Sequence, residues 1–284
     1  MTDLSDLRET FAHAGYAAPL PAMTEKEAAD YRAQLEAIEC EHAGHPIMKE
    51  AVYTSPHLLF PFVDEIMRRP SVTGPVSQVL GPDLLVWGAT LFIKEAGSPD
   101  HITWHQDLTY WGLDSTQEVT AWIALSPATV ESGAMRFIPG SHLKEIVPHR
   151  DTFGDTNMLS RGQEIAVEVD EEEAVDVVLA PGQMSLHHGR LFHASYANRS
   201  GDRRIGLAIR YITPDMRQTV GEKDFAVLVL GEDRFGHFDL LDPPKGVLHP
   251  DDVARVRQVS TIEQTYYYAG AAEYGRHRQP LTDG

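Results

Sequence analysis

Cysteine is almost missing from this chain: there is one, Cys40, in 284 residues. An internal disulfide framework and a thiolate metal cluster are both excluded, and a reducing, cytoplasmic setting is the expectation. Long apolar runs are missing too. None approaches the roughly 18 residues that a membrane span needs, and Met1 to Arg8 shows no basic stretch leading into an apolar one. Positive charge is scarce: 24 Lys and Arg stand against 42 Asp and Glu, a net charge of −18. That balance argues against a nucleic-acid partner, whose binding rests on a positive footprint. No repeat, low-complexity tract or flexible linker divides the chain. What is present is ordinary for a globular protein with a real core, 42% hydrophobic and 23% charged residues. The fourteen histidines stand out, although one mononuclear site uses only two or three.

The hydrophobic period changes along the chain. Thr24-Glu-Lys-Glu27 reads as a capping box for a helix to about Glu41, with Ala28, Tyr31, Leu35 and Ile38 on its buried face. Further helices are expected over His57–Arg69 and Ser71–Leu80. From Leu84 the period shortens to that of strands, over Leu84–Lys94, Thr103–Leu108, Glu118–Ser126, Met135–Ile138, Glu164–Val169, Met184–His187, His193–Ala197 and Arg204–Tyr211. Gly and Pro turns at this spacing indicate a sandwich or barrel. Asp170-Glu-Glu-Glu173 reads as a solvated loop or edge rather than a metal site. The tail from Asp251 to Ala269 reads as helical, with Tyr266-Tyr-Tyr268 as packing.

Within Trp104-His-Gln-Asp107, residues two apart on an extended strand share a face, so His105 and Asp107 are expected side by side. One imidazole and one carboxylate supply two of three ligands. A second histidine would complete the facial triad of non-haem Fe(II) oxygenases. The stretch from Pro181 to Arg204 offers His187, His188 and His193. His187 and His188 are adjacent, so at most one looks inward, and a structural role fits each better than ligation. A dicarboxylic co-substrate needs a cation for its far carboxylate, which the arginine fork suits. On the strand after that stretch, Arg204, Gly206, Ala208 and Arg210 share a small-residue face, opposite Ile205, Leu207, Ile209 and Tyr211. Arg204 is therefore the expected anchor, Arg203 a surface charge and Arg210 the remaining alternative.

An ordered set of motifs then resembles the phytanoyl-CoA dioxygenase family of Fe(II)/2-oxoglutarate-dependent oxygenases. It comprises Gly15-Tyr16, Trp104-His-Gln-Asp107 with Tyr110, Ala121-Trp122, Gly133-Ala-Met-Arg-Phe-Ile-Pro-Gly-Ser-His142, Leu159-Ser-Arg-Gly162, Pro181-Gly182, and His193-Ala-Ser195 followed by Arg204. The resemblance spans most of residues 10–240. It implies a mainly β fold with flanking helices around a double-stranded β-helix (jelly-roll, cupin-like) core. The whole chain would be one oxygenase domain, helical over about 1–82, jelly-roll over about 83–215, with a C-terminal extension over about 216–284.

The same resemblance implies Fe(II) on His105, Asp107 and His193, with 2-oxoglutarate and O2 as co-substrates. Arg204 and Ser195 would bind the 2-oxoglutarate carboxylate, Trp122 would line its pocket, and Thr90 would be a further polar contact. His142 would be structural or stand behind the ligands. The expected activity is hydroxylation of an unactivated C–H bond in a small metabolite or natural-product intermediate, giving succinate and CO2. Related halogenases carry Ala or Gly where Asp107 stands, so a carboxylate here favours hydroxylation. Desaturation, epimerisation and ring formation share the same iron chemistry. Readings of another class are an inactive cupin-like binding protein and a zinc hydrolase, which leaves Arg204 unexplained. Arg150 and Arg161 are read as surface charges.

Overall fold

The computed structural model describes residues 6–159 and 161–271. Among these, the helices are α1 (Leu7–Ala14), α2 (Glu25–Glu41), α3 (Met48–Tyr53), α4 (Pro56–Leu59), α5 (Pro61–Arg68), α6 (Pro70–Leu80) and α7 (Pro250–Tyr267). The strands are β1 (Tyr16–Pro21), β2 (Leu84–Lys94), β3 (Ile102–His105), β4 (Glu118–Ala124), β5 (Met135–Phe137), β6 (His149–Asp151) and β7 (Gln163–Ile165). They continue with β8 (Val175–Val177), β9 (Gln183–His188), β10 (His193–Ser195), β11 (Arg204–Ile212), β12 (Phe225–Leu230) and β13 (Asp239–Leu240).

The strands form a seven-stranded sheet, β1-β9-β4-β11-β2-β12-β13, a four-stranded sheet, β3-β10-β5-β8, and a two-stranded sheet, β6-β7. Pairing is antiparallel except between β12 and β13. The two sheets face one another as a double-stranded β-helix. Between them Trp122 and Ala208 of the large sheet pack with Met135 and Phe137 of the small one. The outer face of the large sheet is covered by helices. There Ile205, Leu207, Ile209 and Tyr211 of β11 join Leu35, Ile66 and Val76 in the main core. Period-two alternation on β11 thus sends its aliphatic residues to the helices and its small and basic residues into the interior. The chain outside the expected 83–215 core also enters the large sheet: β1 extends it beside β9, and β12 beside β2.

Helix α2 starts where its capping box predicts. Glu27 N–H donates to Thr24 Oγ1 at 3.2 Å, and Thr24 N–H donates to Glu27 Oε2 at 2.8 Å. The helix expected over His57–Arg69 is instead two, α4 and α5. Pro61 has no N–H and forces Phe60 into an extended conformation, φ −123° and ψ 109°. Helix α3 and the short strands β6 and β8 are absent from the sequence expectation, because three to six residues are too few to show a period. The Glu171–Glu173 run is an exposed turn. Tyr266, Tyr267 and Tyr268 pack with Trp87 and Trp111. No helix among the described residues is long and apolar enough to cross a membrane.

Candidate metal and co-substrate site

The cavity between the sheets is where the expected residues meet. His105 ends β3 and His193 begins β10, and the two pair directly in register. Asp107 is not on a strand. It opens a 3-10 turn over Asp107–Tyr110, so its closeness to His105 comes from the chain turning after β3 rather than from strand alternation. The side chains still converge: Asp107 Oδ1 lies 3.3 Å from His105 Nε2 and 3.7 Å from His193 Nε2. One ligand atom from each of the three lies within 4.8 Å of the others.

Both imidazoles are held with Nε2 facing inward. The Nδ1–H of His105 donates to the Thr103 carbonyl at 2.9 Å, and that of His193 to the Leu191 carbonyl at 2.9 Å. A backbone acceptor on the far nitrogen sets the tautomer that leaves a lone pair for a metal. Burial lowers the His193 pKa well below its ordinary value, with His105 beside it adding to the effect, so the ring is neutral as a ligand must be. Burial alone would push the Asp107 carboxyl up. The histidines 193, 105 and 187 around it hold it well below the usual carboxylate range. Two imidazoles with Nε2 turned inward and one carboxylate on one side of a cavity fit a divalent metal with open positions.

His187 faces the same cavity from β9, with Nε2 3.8 Å from Asp107 Oδ2 and Nδ1 buried without a partner. His188 points the other way, and its Nδ1 accepts from Arg190 N–H at 3.0 Å. His142 is bonded to helix α1, with Nε2 3.1 Å from the Ala12 carbonyl. Behind Asp107, the Thr120 hydroxyl lies 3.4 Å from Asp107 Oδ2 and donates to Glu118 Oε1 at 2.8 Å. Burial and the Asp107 charge raise the Glu118 carboxyl well above its ordinary range. Nothing in the sequence reading singled out Glu118. Its signal was a lone acid opening an otherwise apolar strand.

Arg204 lies at the other end of the cavity, 1% exposed. Its Nε and Nη2 are buried without partners, and Nη1 makes only a long, 3.4 Å contact to the Phe92 carbonyl. Burial alone lowers its pKa to about 9. The guanidinium stands 5.3 Å from the Trp122 ring centre. That ring lies on Gly206, where a Cβ would come within 1.8 Å of it; the glycine makes room for the indole. Two orphaned, fork-forming N–H groups in a dry wall fit a carboxylate.

Ser195 stands beside this end, and here the sequence reading missed a residue. Lys94, fully buried, donates to Ser195 Oγ at 2.7 Å and to the Tyr196 carbonyl. Burial, and secondarily Arg204, lower its pKa to about 6. Strand alternation contained the signal, since Thr90, Phe92 and Lys94 share one face of β2. Thr90 lies elsewhere in the cavity, where its hydroxyl accepts from Arg210 Nη1 at 2.8 Å. Arg203 is outside, bound to Glu39, Glu36 and Glu95. Arg150 is an exposed partner of Glu164, whereas Arg161 is buried against Asp151 and the Tyr267 carbonyl. The surface reading of Arg161 is therefore corrected: a counter-charge 10 residues away draws it inward.

Residues 11–206 match the family model described as Phytanoyl-CoA dioxygenase (PhyH). The chain belongs to this family. That family is one of non-haem Fe(II)/2-oxoglutarate-dependent dioxygenases, which use O2 as second co-substrate. Among curated family relatives, a probable alpha-ketoglutarate-dependent hypophosphite dioxygenase of Stutzerimonas stutzeri is 29% identical over 171 residues, 59% of this chain. The match takes in 58% of that enzyme, so the chain spans little more than half its length. An L-proline trans-4-hydroxylase of Streptomyces griseoviridis is 27% identical over 217 residues, 68% of this chain and 81% of the relative. Among solved structures, the non-heme monooxygenase ThoJ superposes with a TM-score of 0.84 at 36% identity, covering 93% of this chain and 98% of its own.

Proposed function

We propose that the protein hydroxylates an unactivated C–H bond of a small metabolite or natural-product intermediate, with succinate and CO2 as co-products. The observation that carries this reading is the pairing of two incomplete sites in one cavity. His105, Asp107 and His193 converge as a donor set suited to a cation, and Arg204 presents buried N–H groups that no protein acceptor meets. A dicarboxylate that chelates a metal through one end and reaches Arg204 with the other completes both.

When bound, Fe(II) supplies O2 activation coupled to oxidative decarboxylation of 2-oxoglutarate. The chain's residues do the rest. His105, Asp107 and His193 would hold the metal from one side and leave the other open. Arg204 takes the 5-carboxylate. The Ser195 oxygen already accepts from Lys94, which turns its own proton toward that carboxylate. Trp122 walls the co-substrate in. As a ligand, Asp107 would take the coordination position that a halide would need, which favours oxygen insertion. The similarity to ThoJ, a monooxygenase, and to the proline hydroxylase supports oxygen insertion as the outcome.

Under anaerobic conditions, Fe(II) with 2-oxoglutarate should give a visible charge-transfer band. Under air, a succinate-release screen across substrate classes should find a compound that gains one oxygen, carrying 18O from labelled O2. Absence of both band and succinate would favour a binding protein. Succinate with a product that gains no oxygen would move the outcome to desaturation, epimerisation or ring closure.

A further inference from the structure

The inward face of β11 carries two arginines six positions apart, Arg204 and Arg210, separated by about 20 Å of strand. They stand at different levels of the cavity. Arg204 pairs in register with Lys94, whose amine reaches Ser195. Arg210 pairs with Thr120, and Thr120 pairs with His187; both of these approach the Asp107 carboxylate. Arg210 is therefore level with the metal ligands, and Arg204 lies beyond them. Both line the cavity, and they are the only Arg or Lys among its described lining residues.

Arg210 is in no ion pair, and the carboxyl that acts on it at longer range, Glu118, is pushed toward its neutral form by burial and by Asp107. Among the described residues no carboxylate stands within ion-pair distance of it, whereas Arg136, Arg161 and Arg203 are each paired. Its Nη1 donates to Thr90 Oγ1, and its Nε is buried without a partner. The guanidinium lies 5.6 Å from the Trp111 ring centre. Arg210 is half-buried, and a partly desolvated cation is costly unless an anion meets it. One 2-oxoglutarate has a single far carboxylate, and Arg204 accounts for it.

We propose that Arg210, with Thr90 and Trp111, forms a second anion subsite that takes a carboxylate of the primary substrate. The substrate is then a carboxylic acid whose reacting C–H lies between that carboxylate and the metal. This rests on Arg204 being the co-substrate anchor. A carboxylate fits better than a phosphate on two counts. The free edge of one planar guanidinium matches one planar carboxylate, and one positive charge balances one negative charge. Thr90 adds a donor, because its oxygen already accepts from Arg210 and its proton is left for the ligand.

The test uses the full-length protein loaded with Mn(II) and the inert 2-oxoglutarate analogue N-oxalylglycine. The probes are matched sets of small aryl and alkyl carboxylic acids, their primary amides and their phosphonates. Binding and proximity to the metal are read from Mn(II)-induced relaxation of the probe protons. Acids should bind at least ten-fold tighter than amides. Arg210→Gln should abolish that preference while N-oxalylglycine affinity stays within about two-fold. Arg210→Lys keeps the charge without the fork, and covers the case in which the glutamine variant does not fold. It should weaken acid binding at least three-fold.

Acids binding no better than amides, phosphonates binding best, or unchanged acid binding in either variant would each overturn the subsite. A ten-fold loss of N-oxalylglycine in Arg210→Gln would do the same by moving Arg210 into the co-substrate site. Failure of the wild type to bind Mn(II) and N-oxalylglycine is a separate result. It removes the co-substrate reading, and the second subsite with it.

Discussion

The two ends of the cavity are equally dry and oppositely wired. At the ligand end, Asp107 and Glu118 sit among His105, His187 and His193, with no lysine and no ion-paired arginine. At the Arg204 end, Lys94 and Arg204 face Ser195, and among the described residues no carboxylate is in an ion pair with either, Asp100 acting on Lys94 only at longer range. Burial penalises the charged form of every group, so it acts with opposite sign at the two ends. It raises the Glu118 carboxyl, and it lowers Lys94 to about 6 and Arg204 to about 9. Asp107 departs from the pattern because three imidazoles surround it. The difference supports the proposed placement of a cation at one end and an anion at the other.

The sharpest way to break the comparison is at the ligand end. His105→Ala, Asp107→Ala and His193→Ala should each lower iron-supported succinate release by more than about 100-fold, since residues that merely orient metal ligands are worth ~10–100-fold. Iron content measured on the same samples separates lost metal from lost chemistry. Full activity in His193→Ala with a dead His187→Ala would reassign the third ligand to the other inward histidine.

The next effect belongs to the opposite end. Truncating one partner of a buried hydrogen-bonded charge pair costs about 2–5 kcal/mol. Arg204→Ala should therefore raise the 2-oxoglutarate concentration for half-maximal turnover by about 30-fold or more. An unchanged requirement would show that the far carboxylate is held elsewhere.

A smaller effect is electrostatic. The pKa of Lys94 is about 6 in the folded protein against 10.5 for an ordinary lysine. The unfolded chain thus binds the proton more readily, and stability rises with pH over that interval. The cost of burying Lys94 grows as pH falls from 10.5 toward 6 and is constant below that. In the ligand-free protein, the melting temperature of Lys94→Met minus that of wild type should rise as pH falls from about 10 to about 7 and level off below about 6. A difference that does not change with pH would mean that the amine keeps its proton when buried, and the two ends would no longer be mirror images.

How much of this was legible in the sequence depends on how local each feature is. The inward face of β11 was readable because alternation is a property of successive residues, and the same rule separates His187 from His188. The capping box at Thr24 is equally local. The structure brings His105, Asp107, His193, Ser195, Trp122 and Arg204 around one cavity, although the chain leaves its extended path before Asp107. Lys94 was overlooked because a lysine at a strand end reads as a solvent-facing terminus. Only the partner strand, with Arg204 opposite, shows that this end is enclosed. Arg161 was misread because its burial depends on Asp151 and on α7, a segment some 100 residues away. Pro61 announced the break between α4 and α5, but the apolar pattern on either side concealed it.

The smallest expected effect is the control that gives the others their meaning. Arg203 and Arg204 are neighbours of the same chemistry, and strand geometry sends them to opposite faces. Arg203 reaches Glu39 at 2.8 Å, Glu95 at 2.9 Å and Glu36 at 3.6 Å on the outer side, partly in solvent. Partly exposed pairs of this kind are worth roughly 0–1 kcal/mol. Arg203→Ala should therefore cost about 1 kcal/mol or less in a denaturant titration, with less difference from wild type in high salt. It should leave the 2-oxoglutarate requirement where it was. If instead Arg203→Ala raises that requirement as far as Arg204→Ala does, facing inward is not what distinguishes the two residues. The co-substrate anchor would then have to be sought on the outer face of the sheet, among the glutamates of α2, where an arriving dianion meets repulsion rather than an unpaired cation.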